Sequence, residues 1–384
     1  MTVKMYDEDS YIKSFKAVVL GCEEKETGFE IILDRTAFFP EGGGQLADTG
    51  LIAGAFVKDV LIVGDKIIHY TDEKVEFGKT VNCEIDWGRR FVFMQQHTGE
   101  HIVSGVINRF YGYDNVGFHL GTEMTTMDYS GSLTDDDLRN IEVMVNQAIY
   151  DNIEVSSRYY TNEELESIEY RSKEFDSDNI RLVDIPDVDV CACCAPQVKR
   201  TGEIGIIKLI RAEKYKGGSR VYMLCGFRAL NDYNMKEEQI RELAKKFSVK
   251  ENFVFEAVEK LREELLEKKI LMSSLKKELI EYKVDKISEY NDKVLVIEEN
   301  MENNVLREYA EEIYNKTRAT VVALAKVGDN SFNYVIFSSD VDEILKEMND
   351  KFSSKGGGRG NTAQGKLEGD KEKIMEFFND YTVV

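Results

Sequence analysis

Near residue 88 the spacing of apolar residues changes from two to about 3.6, and this switch divides the chain into a strand-built beginning and a helix-centred middle. Before it, apolar and polar residues alternate in short runs, Phe15 to Leu20, Phe29 to Leu33, Val57 to Val63 and Thr80 to Ile85, broken by glycine and charged turns. Such runs predict a small barrel or sandwich, taken here as a β-barrel domain over residues 1–88. From 89 to 111, Phe91, Met94, Ile102, Val106 and Phe110 fit one buried side of a helix, while His97, His101, Ser104 and Asn108 form another stripe. Strand-like and helical pieces then mix, which predicts an α+β domain over 89–232.

From about residue 236 the chain becomes charge-rich helix. Val254, Val258, Leu261, Leu265, Lys268, Met272, Leu275, Leu279 and Tyr282 step by four and three, which predicts a coiled-coil or hairpin spacer over 233–285, with a long amphipathic helix packed on its own domain as the plainer alternative. Residues 286–384 read as a small α/β domain with strands at Lys293 to Ile297, Thr320 to Ala325 and Asn333 to Phe337. The expected fold class is therefore α+β: an N-terminal β-barrel, an α+β domain, a helical coiled-coil spacer and a small C-terminal α/β domain.

The 384 residues suffice for two or three domains with cores of their own. The first ten residues carry acids and no apolar core of a signal peptide, and no stretch approaches the length of a membrane span. A cytoplasmic protein without membrane contact is expected. Three of six cysteines crowd between 191 and 194, which suits metal-binding thiolates better than a disulfide framework. The net charge of −21 argues against nucleic acid as a partner of the whole surface. Local windows differ: Lys199 to Arg228 holds eight basic residues against two acids, and Lys351 to Lys366 holds Lys351, Lys355, Arg359 and Lys366 with no acid. A phosphate backbone would have to bind there.

His97-Thr98-Gly99-Glu100-His101 puts two imidazoles four apart, on one face of the predicted helix. Cys191-Ala192-Cys193-Cys194 follows about a hundred residues later. Zinc held by two imidazoles and a thiolate has its usual donors, and a fourth position left to water or substrate would make the site catalytic. The string is not the metalloprotease HExxH. Thr98 follows His97, and Glu100 is expected to point about a third of a turn away from the histidine stripe, so the usual water-activating glutamate is read as missing. Pro40-Glu41-Gly42-Gly43-Gly44-Gln45 is either an ordinary turn or a loop that lets backbone approach a ligand closely.

These strings together resemble the AlaX family of free-standing alanyl-tRNA editing proteins, related to the editing domain of alanyl-tRNA synthetase. The family pattern TxFxPxGGGQ stands at Thr36 to Gln45, HxxxH at His97 and His101, and TGEIG at Thr201 to Gly205. Gly117 to Gly121, Lys214 to Arg220 and the carboxy-terminal GGGRxxxAQG at Gly356 to Gly365 are similar too, the last resembling the DHH-associated domain of the long forms. The family places a metal-binding cysteine four residues before a metal-binding histidine, and here those positions are Cys193 and Gln197. A glutamine carbonyl is a poorer zinc ligand than imidazole. The expected set is His97, His101 and Cys193 with an open fourth site; weak binding by Gln197, or recruitment of Cys191 or Cys194, are the alternatives.

The resemblance implies zinc-dependent hydrolysis of mischarged tRNA(Ala), Ser-tRNA(Ala) first and Gly-tRNA(Ala) second, because an alanine pocket excludes neither by binding energy alone. Thr36 and Gln45 become candidate catalytic residues able to hydrogen-bond the substrate, with turn stabilisation as their plainer role. His119 is either a partner of a metal ligand or a structural histidine. Lys214, Lys216, Arg220, Lys355 and Arg359 are the candidate tRNA contacts, and the heptad helix would supply reach or a homodimer seam. Two other readings are a non-catalytic tRNA-binding protein with a decayed metal site and a zinc hydrolase of a small ester or amide.

Overall fold

A computed structural model describes residues 2–171, 179–288 and 290–384. The chain separates into two compact units, Met1–Glu242 and Leu243–Val384.

In the first unit, strands β1 (Ser14–Lys25), β2 (Gly28–Leu33), β3 (Gly50–Ile52), β4 (Ala55–Val63), β5 (Lys66–Thr71) and β6 (Thr80–Ile85) pair in the ring β1-β2-β5-β4-β3-β6, with β6 returning antiparallel to β1. Alternation explains the ring's interior: Val19, Ile31, Leu33, Val57 and Val60 are fully buried while their neighbours face outward. The expected fold class needs correction here. There is no self-contained N-terminal barrel domain: the ring's buried residues belong to one continuous core with Met94, Ile102 and Val106 of the following helix and with Met127, Val183, Ile207 and Met223 beyond it. The ring's apolar interior is continued by a neighbouring element.

That neighbour is α1 (Trp87–Tyr111). The Asp86 carboxylate caps its first turn by accepting from the Arg89 amide at 3.1 Å, and Gly112 ends it in the left-handed region at φ 68°. The periodicity predicted a helix with one buried side. Instead α1 is central: Gln96, His97, Thr98, His101 and Ser104 are as buried as Met94 and Ile102, whereas Phe110 at the end is 60% exposed. Around α1 lie the sheet formed by β7 (Asn115–Leu120), β8 (Thr125–Tyr129), β12 (Ile207–Tyr215) and β13 (Gly218–Cys225), the helix α2 (Asp135–Tyr150), and the sheet of β9 (Ser156–Thr161), β10 (Asn179–Ile185) and β11 (Asp189–Ala192). Close approach requires glycine: a Cβ on Gly99 would come within 2.4 Å of Cys225 Sγ on β13.

Helix α3 (Gly226–Phe247) leads out of this unit, and α4 (Val254–Asp285) begins the second. Only Val254, Ile280 and Val284 of α4 are buried, so the heptad row Val258, Leu261, Leu265, Met272, Leu275 and Leu279 is exposed. The rest of this unit is a six-stranded mixed sheet in the order β17-β18-β16-β15-β14-β19, formed by β14 (Lys293–Glu299), β15 (Thr320–Gly328), β16 (Ser331–Phe337), β17 (Ser353–Arg359), β18 (Thr362–Glu368) and β19 (Thr382–Val383). Alternation gives the sheet two apolar faces. Val294, Val296, Val321 and Ala323 pack with α5 (Asn303–Thr317), and Leu295, Val322 and Leu324 pack on the other side with Met348 and Ile374 of α6 (Val341–Lys351) and α7 (Lys371–Phe377).

Candidate metal centre and its pocket

The Gly-rich segment is held against α1 by a buried ion pair. Arg90 and Asp48 are both solvent-excluded; the guanidinium also donates to the Ala37 carbonyl at 2.6 Å, and Asp48 accepts from the Phe39 amide at 2.6 Å. A tight turn follows, in which Gly42 and Gln45 exchange backbone hydrogen bonds and Gly43 and Gly44 both take positive φ. A side chain on Gly44 would meet the Phe118 ring at 2.6 Å. The turn thereby delivers Gln45 to α1 and sets Phe118 beside it, 4.9 Å from the His97 ring.

Hydrogen bonds fix the histidine tautomers. Gln45 Oε1 can only accept, so the 3.0 Å contact makes His97 Nδ1 the donor and leaves Nε2 with a lone pair. Asp189 Oδ2, 3.1 Å from His101 Nδ1, does the same for the second ring. His97 Nε2 lies 3.4 Å from Cys193 Sγ, and His101 Nε2 is buried with no hydrogen-bond partner. One donor atom from each of His97, His101 and Cys193 lies within 4.8 Å of the other two. Two nitrogens and a sulfur converging in a buried space, one of them orphaned, could hold a metal ion, and this donor set fits zinc.

Charge couples the same three groups to one another. Burial opposes the thiolate of Cys193, but His97 and His101 outweigh it and hold the thiol well below its ordinary range. Burial likewise opposes a charge on His101, which Asp189, Cys191 and Cys193 override to hold it well above the usual imidazole value. Asp189 is kept ionised against burial by Arg171, which donates at 2.6 and 2.7 Å. Cys194, by contrast, is pushed up to about 11, chiefly by desolvation.

Gln197 lies four residues after Cys193, and its amide faces the cluster nitrogen first. Its Oε1 accepts from the Thr98 hydroxyl at 2.7 Å, because that hydroxyl already accepts from the Val198 amide, and its Nε2 lies 3.5 Å from Cys193 Sγ. In this geometry Gln197 solvates the thiolate.

Thr36 is apart from the cluster. His69 Nδ1 must donate to the Ile31 carbonyl at 3.1 Å, so its Nε2 accepts from the Thr36 hydroxyl at 2.8 Å, which also accepts from the Phe38 amide. Both capacities of that hydroxyl are spent inside the core. Burial lowers the His69 pKa to about 4. His119 is exposed on β7 and forms no hydrogen bond with the metal cluster.

A cavity of about 970 Å³ opens beside the cluster, lined among others by His97, His101, Cys193, Phe118, Arg171 and Glu100. Glu100, expected to point away from the histidine stripe, lines this cavity. Three residues after His97, Glu100 is turned by only about 60° from that histidine, and the cavity is wide enough to include both. Glu100, Asp189, Arg171 and Asn115 are the site residues that motif reasoning missed; Asp189 stood two residues before the cysteines, whereas Arg171 and Asn115 left no signal of spacing.

Of the candidate tRNA contacts, Lys214 and Lys216 flank Tyr215 at the β12–β13 turn, exposed and without an ion pair among the described residues. Arg220 is tied to Asp128 at 2.6 and 2.8 Å, and Lys199, Lys208 and Arg211 pair with Asp9, Glu142 and Glu213. Four of the window's eight basic residues are thus paired with acids, whereas Arg200 and Arg228 donate to the backbone carbonyls of Asn152 and Gly121 and the hairpin lysines stand unpaired among the described residues. Lys355 and Arg359 lie exposed on β17, at the edge of the second unit's sheet.

The parts so assembled match three family models, two of them named for tRNA synthetases. Residues 8–89 match the family model described as "tRNA synthetases class II (A)", residues 180–222 that of the "Threonyl and Alanyl tRNA synthetase second additional domain", and residues 291–383 the "DHHA1 domain". Alanyl-tRNA editing protein AlaX-L of Pyrococcus horikoshii is 30% identical, with 98% of this chain and 97% of that protein covered, and the chain belongs to this AlaX-L family. Alanine--tRNA ligase of Ignicoccus hospitalis is 31% identical over 98% of this chain, which spans 42% of that longer enzyme. Among solved structures, the C-Ala domain of Aquifex aeolicus alanyl-tRNA synthetase is 21% identical, with 24% of this chain and 94% of that one covered and a TM-score of 0.22.

Proposed function

We propose that this chain is a trans-editing hydrolase that deacylates mischarged tRNA(Ala), acting on Ser-tRNA(Ala) first and Gly-tRNA(Ala) second, with zinc held by His97, His101 and Cys193. The observation that carries this reading is the convergence of those three donors beside a large cavity in a chain of the AlaX-L family. When bound, zinc supplies Lewis acidity toward the ester carbonyl. The chain's own residues prepare for it. Gln45 and Asp189 orient the two imidazoles, and the Ala195 amide at 3.4 Å joins Gln197 in hydrogen-bonding the Cys193 thiolate. Phe118 and the Gly43–Gly44 turn wall one side and limit what side chain the cavity admits.

Lys214 and Lys216 at the hairpin, and Lys355 and Arg359 on the sheet edge, meet the tRNA phosphates; Arg220 positions the hairpin through Asp128 and stacks on Tyr215 at 3.8 Å. A second copy of the chain covers the heptad row of α4. A cytoplasmic setting suits six free thiols, three of them beside the cluster. Among the described residues no helix is long and apolar enough to cross a membrane.

Ser-tRNA(Ala), Gly-tRNA(Ala) and serine methyl ester offered to the zinc-loaded protein test the assignment. Faster loss of the seryl than the glycyl ester, with the methyl ester left at its background rate, is expected. Equal cleavage of the methyl ester would make this a small-ester hydrolase, and tight tRNA binding with no cleavage and no retained zinc would make it a binding protein.

A further inference from the structure

Glu100 is a buried carboxylate of α1 that the metal cluster does not use. It is 94% buried, being 6% exposed, and lines the cavity. It is absent from both donor groups able to share an ion, His97–His101–Cys193 and His101–Asp189–Cys191. Its Oε1 accepts from Ser104 Oγ at 2.6 Å and Asn115 Nδ2 at 2.7 Å, and Ser104 is itself braced by Tyr129 Oη at 2.9 Å. Its Oε2 accepts no hydrogen bond among the described residues, and the Arg171 guanidinium, which acts on Glu100 through space, gives its hydrogen bonds to Asp189 instead. The neighbouring carboxylate, Asp189, is fully compensated by Arg171 and His101.

A buried carboxylate with one oxygen clamped and the other unpartnered toward a cavity is costly unless a cation comes with the ligand. The substrate class proposed above carries one. Every aminoacyl ester with a free amino group presents an α-ammonium two bonds from the ester carbonyl carbon, and Glu100, between His97 and His101 on α1, lines the same cavity as both histidines. We infer that Glu100 binds the α-ammonium group of the aminoacyl ester, with Ser104 and Asn115 as positioning residues that aim its free oxygen. This inference rests on the aminoacyl-ester reading of the site and adds a requirement to it: the ligand must bear a free α-amine.

The test uses full-length protein, zinc-loaded and metal-stripped, and two non-hydrolysable probes: the L-seryl amide of 3′-amino-3′-deoxyadenosine and its N-acetyl derivative, titrated by calorimetry. Wild type is expected to bind the free amine about 30-fold tighter, the scale set by a buried charge pair at ~1.4 kcal/mol per decade. Glu100→Gln preserves the acceptor for Ser104 and Asn115 while removing the charge, and is expected to bind both probes within about 3-fold of each other, with zinc content by elemental analysis unchanged. Wild type binding both probes alike, or Glu100→Gln retaining the preference, would overturn the inference. A glutamate acting on water instead would leave the probes' affinities unmoved in Glu100→Gln while slowing hydrolysis of seryl and N-acetylseryl tRNA equally, which also overturns it. Failure of Ser-tRNA(Ala) to be cleaved would count against the editing function alone, because the affinity readout needs no turnover.

Discussion

Gln197 occupies the place where a fourth donor was sought, and its amide is oriented by a chain of hydrogen bonds running Val198 amide, Thr98 hydroxyl, Gln197 carbonyl. The same logic, a second residue fixing the first, makes Gln45 testable. Gln45→Ala removes the acceptor that fixes the His97 tautomer, and zinc affinity measured by competition with a chelator should fall about 10- to 100-fold; an unchanged affinity would remove Gln45 from the centre. His69 gives a pH prediction. Its folded pKa of about 4 lies below the ordinary 6.5, so the unfolded chain binds more protons between those values. Stability from this group is present above about pH 6.5 and is lost, by about 3 kcal/mol, as pH falls toward 4. Ring-nitrogen NMR should show His69 neutral at pH 5; a midpoint near 6.5 would contradict its burial. At this scale His97, His101 and Cys193 were legible because donor chemistry and spacing survive in sequence. For Thr36 the motif left a substrate contact and a structural role open, and it gave no sign that the hydroxyl turns inward to His69.

At the scale of elements, period alone located α1 and four of the six ring strands, β1, β2, β4 and β6, but not β3 or β5; alternation and helical spacing are consequences of local backbone geometry. What period could not convey is that the polar stripe of α1 is buried as deeply as the apolar one, because its covering comes from the Gly-rich turn and β11, far away in sequence. The basic window shows the converse. Its charges were countable, but their partners Asp9, Asp128 and Glu142 lie up to about 190 residues away, and only the β12–β13 turn keeps unpaired lysines. Lys214→Glu with Lys216→Glu should therefore weaken tRNA binding and flatten its dependence on log salt by about 2; an unchanged slope would move the tRNA elsewhere. On α4, Leu265→Glu with Met272→Glu should convert a dimer into a monomer in sedimentation velocity, and an unaltered mass would show that this row joins no second copy.

For the molecule as a whole, a net charge of −21 coexists with tRNA as the proposed partner because binding is decided by the few cations left unpaired, not by the sum. The two units divide the sequence motifs between them: the donors, the Gly-rich turn and Glu100 fall in Met1–Glu242, and the exposed Lys355 and Arg359 in Leu243–Val384. Four domains were expected from changes in period and charge, and the buried residues of the first two segments form one cluster that period does not reveal. The central claim is that His97, His101 and Cys193 hold zinc to cleave a seryl ester. It is tested most directly by following the half-life of Ser-tRNA(Ala) with the zinc-loaded, chelator-stripped and zinc-restored protein, alongside His97→Ala. The account predicts rapid deacylation that disappears on stripping, returns with zinc and is absent in His97→Ala; a zinc-loaded protein that leaves Ser-tRNA(Ala) as stable as buffer alone would contradict it.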